Sequence, residues 1–113
     1  MVELIIKNLK EVEETSRKEF EEICKEKIEF YQNLFKKYDK DLTLEIIVNK
    51  SAKTYTVSAS IALKSKKILL AEENKDILKA LNRLMKEFKK AVKRQYELER
   101  KDYEYKRKNR KKK

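Results

Sequence analysis

The sequence predicts an α+β fold. The expected architecture is a β-α-β-β-β-α two-layer sandwich: a four-stranded sheet in the order 1-2-3-4, its first pair parallel and the rest antiparallel, with two helices packed on one face. Three observations carry this. Two runs, at 42–49 and 54–63, alternate apolar and small polar side chains with a period of two, as half-buried strands do. Two longer stretches, at about 15–38 and 77–92, repeat apolar residues at steps of three and four, as amphipathic helices do. A short apolar opening, VELIIKNL, precedes the first of those stretches. The 113 residues suit one domain with a single core.

The chain has no Gly and no Pro, so element boundaries must come from periodicity alone. In the opening run Leu4 and Ile6 share a face, which predicts a first strand. The first helix starts near Glu13–Thr15 and follows the stripe Phe20, Ile23, Cys24, Ile28, Tyr31, Leu34, Phe35, Tyr38. Its far side, with Lys18, Glu22, Lys25, Glu29 and Lys36, mixes both signs and suits water. YDKD at 38–41 breaks the pattern. Leu42, Leu44, Ile46 and Val48 then form one face of a second strand, and Tyr55, Val57, Ala59, Ile61 and Leu63 one face of a third. NKSAK and KSKK supply the turns, and KILLA a fourth strand. The face bearing Thr54, Thr56, Ser58 and Ser60 is expected to be wet. The folded domain is expected over 1–98, with 99–113 a basic helical extension or flexible tail.

Charge is distributed unevenly. Residues 1–76 hold 15 basic and 15 acidic side chains, whereas residues 77–113 hold 16 and 5, so the whole net charge of +11 sits in the C-terminal third. A neutral body with a basic end points to a polyanionic partner. Absences narrow the chemistry. Without His the commonest general base is missing, and without Gly no glycine-rich phosphate loop can form. Cys24 is the sole thiol, so the chain can build neither a disulfide framework nor a thiolate zinc site of its own, and its place on the apolar stripe reads as packing. Neither an enzyme nor a cofactor or metal is expected. MVELIIK is too short for a signal peptide or a membrane span, so a cytoplasmic protein, monomeric when free, is expected.

The second helix holds the sharpest signal. Ile77, Leu81, Leu84, Met85, Phe88 and Val92 share one side. At about 100° per residue, Lys79, Arg83, Lys86, Lys90 and Lys93 fall within roughly 80° of one another on the opposite side, with Arg94 beside them. Like charges spaced i,i+4 oppose helix formation by about 0.2–0.5 kcal/mol per pair, and only Glu87 offers local relief. Such a stripe is a ligand-facing signal, and phosphate is its natural complement. Asp76 is positioned to cap the helix. The tail adds Arg100, Lys101, Lys106, Arg107 and Lys108, interleaved with Tyr96, Tyr103 and Tyr105, an arrangement able to stack bases while cations hold phosphates.

The element order and several local motifs resemble the short ribosome hibernation promoting factors, also called ribosome-associated translation inhibitors, over residues 2–95. The first helix carries Lys18-Glu19-Phe20 with Ile28 and Tyr31 downstream. The second region carries Glu73, then Asp76 opening the helix, Ala80-Leu81-Asn82 where the family favours Ala-Ile-Asp, and Leu84, with Lys90 and Arg94 at positions that are basic in the family. Leu78, Asn82 and Glu87 depart from the residues common there, and Lys7 stands where a Gly often follows the first strand. The resemblance implies a protein that lies in the mRNA and tRNA channel of the small ribosomal subunit. There it would contact 16S-type rRNA of the decoding region and inhibit translation by steric exclusion. No membrane and no small-molecule substrate are implied.

Two other readings compete. A general binder of double-stranded or structured RNA would share the α-β-β-β-α portion, but the first strand and the missing Gly- and Lys-containing helix start speak against it. A peripheral membrane or protein-interaction module using the basic tail as an anchor would need an exposed apolar helix face, which the second helix lacks.

Overall fold

The structure, a computed structural model, describes the backbone of residues 1–111 and the side chains of residues 1–101. Period-two alternation produces four strands: β1 (Val2–Lys7), β2 (Leu42–Ser51), β3 (Thr54–Ala62) and β4 (Lys67–Asn74). They form one sheet in the order β1-β2-β3-β4, with β1 parallel to β2 and the other pairs antiparallel. Two helices, α1 (Glu14–Leu34) and α2 (Ile77–Lys111), complete the expected β-α-β-β-β-α sandwich.

Register explains why one face is dry. Leu4 opposes Leu44, Ile46 opposes Ala59, and Ile61 opposes Ile68, so each rung presents apolar groups to the helices. Leu44, Ile46, Val48, Val57 and Ala59 are fully buried there. α1 brings Phe20, Cys24, Ile28 and Tyr31 to this layer, and α2 brings Ile77, Leu81, Leu84, Met85, Phe88 and Val92. The predicted stripe of α1 is only partly helical: the helix ends at Leu34, and Phe35 and Tyr38 reach the core from the turn beyond it.

Several details differ from the sequence expectations. A single 3-10 turn, Leu9–Glu11, intervenes before α1, entered through Asn8 at φ 62°. Asn tolerates that left-handed conformation better than most residues, so it does the work a Gly does elsewhere. Arg17 holds this turn in place by donating to the carbonyls of Lys10 and Val12, each at 3.2 Å. The β2–β3 turn is tighter than NKSAK suggests. β2 runs on to Ser51, which pairs with Thr54, leaving Ala52 and Lys53 as a two-residue loop with Ala52 at φ 41°. β4 extends past KILLA to Asn74. The outer face is not uniformly wet either, since Ser60 is only 7% exposed between its register partners Glu45 and Leu69.

Candidate nucleic-acid interface

α2 is positioned from both ends. At its start, Asp76 Oδ1 accepts from the backbone N–H groups of Leu78 (2.9 Å) and Lys79 (3.3 Å), which supplies the predicted cap. Asn74 in turn accepts from the Asp76 N–H at 2.9 Å, so the strand end and helix start are one hydrogen-bonded unit. Further along, Glu99 ties the helix to two other elements. Its carboxylate accepts from the Tyr38 hydroxyl and from the Ser65 hydroxyl, both at 2.5 Å, and from the Ser65 N–H at 3.3 Å. Gln95 adds a bond to Ser65 at 2.9 Å. Burial and the neighbouring Glu99 carboxylate push the Tyr38 hydroxyl up to about 12, so it remains a donor at neutral pH.

Between these anchors the cationic residues line up as the spacing requires. Lys79, Arg83, Lys86, Lys90, Lys93 and Arg94 are all exposed, opposite the side that packs on β3 and β4. From Lys79 to Arg94 the ridge runs about 20 Å at ~1.5 Å per residue. Arg100 and Lys101 continue it, both exposed. The side chains of Lys106, Arg107 and Lys108 lie outside the described residues. Two members have carboxylate neighbours: Arg83 stands 3.8 Å from Glu72 of β4, and Lys90 stands 3.6 Å from Glu87. Both pairs are long and exposed on the cation's side, each worth at most about 1 kcal/mol, which a phosphate can displace. Lys79, Lys86, Lys93 and Arg94 form no ion pair among the described residues.

Three features correct the sequence reading or were absent from it. Tyr96 does not stand free to stack on a base: its ring packs against Phe35 at 4.9 Å and Tyr38 at 5.6 Å, with the Arg100 guanidinium 5.8 Å away. Glu72 reaches the ridge from the sheet, a contact no helical spacing reveals. Finally, a groove of about 630 Å³ separates α1 from α2. Its rim holds Lys27 of α1 together with Lys86, Lys89, Lys90 and Lys93 of α2, and Phe30 and Met85 line its apolar part. Lys27, Lys89 and Phe30 were not legible as site residues: Phe30 and Lys89 lie at the margins of their helices' stripes, and Lys27 falls within the angular range of the α1 stripe, where it reads as an interruption of the apolar side. The only signal was the excess of lysine itself.

Other chemistries find little here. Burial, reinforced by Glu21, raises the Cys24 thiol to about 12, which leaves it protonated and unreactive at neutral pH. Among the described residues no group of three or more His, Cys, Asp or Glu side chains is placed to hold a metal ion. No helix among them is long and apolar enough to cross a membrane. No protein-family model matches the chain, and no curated protein matches it.

Proposed function

We propose that this chain binds the small ribosomal subunit through the α2 ridge and blocks translation by occupying the channel where mRNA and tRNAs meet. The observation that carries the reading is the exposed line of six cations from Lys79 to Arg94, of which four have no carboxylate within ion-pairing distance among the described residues. Nothing in the fold calls for that concentration of one sign; an rRNA backbone does. The four-stranded sheet backed by two helices is also the architecture that the resembled family would require. Phosphate contacts position a protein without reading sequence, so rRNA shape supplies the specificity in this proposal.

The test is sedimentation of purified small subunits with the protein across a salt series, with a translation assay alongside. Six phosphate contacts imply a loss of about a thousandfold in affinity between roughly 50 and 200 mM salt. Cosedimentation, this salt dependence and inhibited translation are the expected result. Salt-insensitive binding, or binding without inhibition, would overturn it. A general binder of structured or double-stranded RNA shares the ridge, and competition separates the two: free RNA duplex that displaces the protein from subunits at equal concentration favours the general binder.

A further inference from the structure

The groove between α1 and α2 differs in kind from the ridge beside it. The ridge is convex and needs only phosphates. The groove is concave, and its volume of about 630 Å³ is within the range of sites that enclose a small organic group. Its apolar part includes an aromatic ring. Phe30 is half-buried and held edge-on against Tyr31 at 5.1 Å, and Tyr31 itself is buried against Phe88 at 6.0 Å. The ring is therefore fixed by core packing rather than loose on the surface. Above it lies the Lys89 ammonium, 4.4 Å from the ring centroid. Cations occupy such ring faces by attraction to the π-electrons, and a long exposed lysine gives up the place readily.

Around that ring the charge is nearly all positive. Lys27 stands on the α1 side and Lys86, Lys89, Lys90 and Lys93 on the α2 side, against one carboxylate, Glu26. An aromatic ring amid phosphate-binding cations is the combination that nucleic-acid grooves use to hold an unstacked base. Lys86, Lys90 and Lys93 belong to the ridge as well, so a chain of phosphates lying on the ridge leads directly into the groove. That continuity favours a strand over a free nucleotide. Asn82 lines the same groove and offers an amide to a base edge.

We infer that the groove receives one unpaired nucleotide of an RNA strand, its base stacked on Phe30 and its flanking phosphates held by Lys27, Lys86, Lys89 and Lys90. The inference rests on the RNA-binding reading above but concerns a separate property, recognition of an extrahelical base. It is tested by fluorescence anisotropy of the full chain with three RNA hairpins: fully paired, carrying a one-purine bulge, and carrying an abasic residue at the bulge. The bulged hairpin should bind about 5- to 100-fold more tightly than the other two, the range that one base–aromatic stack provides.

Phe30→Leu should abolish that preference while leaving affinity for the paired hairpin unchanged. Phe30→Trp should keep the preference, and its fluorescence should be quenched by the bulged hairpin but not by the abasic one. Equal affinity for bulged and abasic hairpins overturns the inference, as does a preference that survives Phe30→Leu. In those cases a ridge variant that weakens all three hairpins leaves the RNA reading standing. Failure of every hairpin to bind overturns the inference alone, because cosedimentation with small subunits decides the ribosomal reading separately. Displacement of the bulged hairpin by AMP at a concentration near the hairpin's own would assign the groove to a free nucleotide and overturn the strand.

Discussion

α1 and α2 lie on the same face of one sheet and bury comparable stripes, but their outward sides have opposite characters. α1 carries 4 basic and 6 acidic side chains in 21 residues, and its Lys25 lies 3.8 Å from Glu21 one turn earlier. α2 carries 14 basic and 5 acidic side chains in 35 residues. The first arrangement lets neighbouring turns attract. The second makes Lys79 and Arg83, Lys86 and Lys90, and Lys90 and Arg94 repel at i,i+4. α2 offsets that cost with its buried side, the Asp76 cap and the Glu99 latch. The helix whose surface works against its own stability is the one to which we assign the proposed binding role.

The comparison can be broken at several points. Under the helices the two should behave alike: Phe20→Ala beneath α1 and Phe88→Ala beneath α2 each empty a fully buried ring site. Each is expected to cost about 3–5 kcal/mol in denaturant unfolding. Unequal losses would show that one helix is an accessory to the fold. On the surface they should differ sharply. Replacing Lys79, Lys86, Lys90 and Lys93 together by Glu should weaken small-subunit binding by about a hundredfold or more, with little change in melting temperature. The matched reversal of Lys18, Lys25, Lys36 and Lys37, on α1 and the turn after it, should stay within about threefold. Similar losses from both sets would mean that net charge, not the ridge, drives binding.

Alkaline titration separates the two buried sides. α1 contributes the Cys24 thiol, raised from 9.0 to about 12, and the Tyr31 hydroxyl, which burial also raises. The side chains that α2 buries do not titrate. A folded-state value above the unfolded one means the folded chain binds more protons. For the thiol the stabilisation is therefore complete below about pH 9 and lost as pH rises from there toward about 12, by at most about 1.4 kcal/mol per pH unit, and the Tyr31 hydroxyl acts in the same direction at higher pH. Cys24→Val should flatten the pH dependence of urea midpoints between about pH 9 and 10, and an unchanged slope would remove the thiol from the account.

The helix starts differ by a smaller amount. Asp76→Ala should cost about 1 kcal/mol, because two backbone donors lose their acceptor. Glu13 precedes α1 without any side-chain cap bond, so Glu13→Ser should add up to about 1 kcal/mol by supplying one. Chemical denaturation resolves both.

Much of this molecule follows from order along the chain. The alternation of Leu42 to Val48 and of Tyr55 to Ile61 identifies strands covered on one side, and the 3–4 spacing from Ile77 to Val92 identifies the buried side of α2. The angular position of Lys79, Arg83, Lys86, Lys90 and Lys93 follows from the same helical repeat. The 3-10 turn after Asn8 did not follow, because without Gly no residue advertises a left-handed backbone. Nor did the placement of Tyr96, whose basic neighbours suggested an exposed ring, while its position lets it close a cluster with Phe35 and Tyr38.

By itself, then, the sequence determined the four strands and two helices, their buried sides and the direction in which each side chain leaves its own helix or strand. Those are properties of a local repeat, set by 3.6 residues per turn or by the two-residue pleat. Only the tertiary structure decided what faces what: Glu72 against Arg83, Glu99 against Tyr38 and Ser65, and Phe30 beneath Lys89 in a groove rimmed by Lys27. Such meetings depend on the offset and spacing between packed elements. Those are fixed by the summed fit of many core side chains, and no repeat within a single segment encodes them.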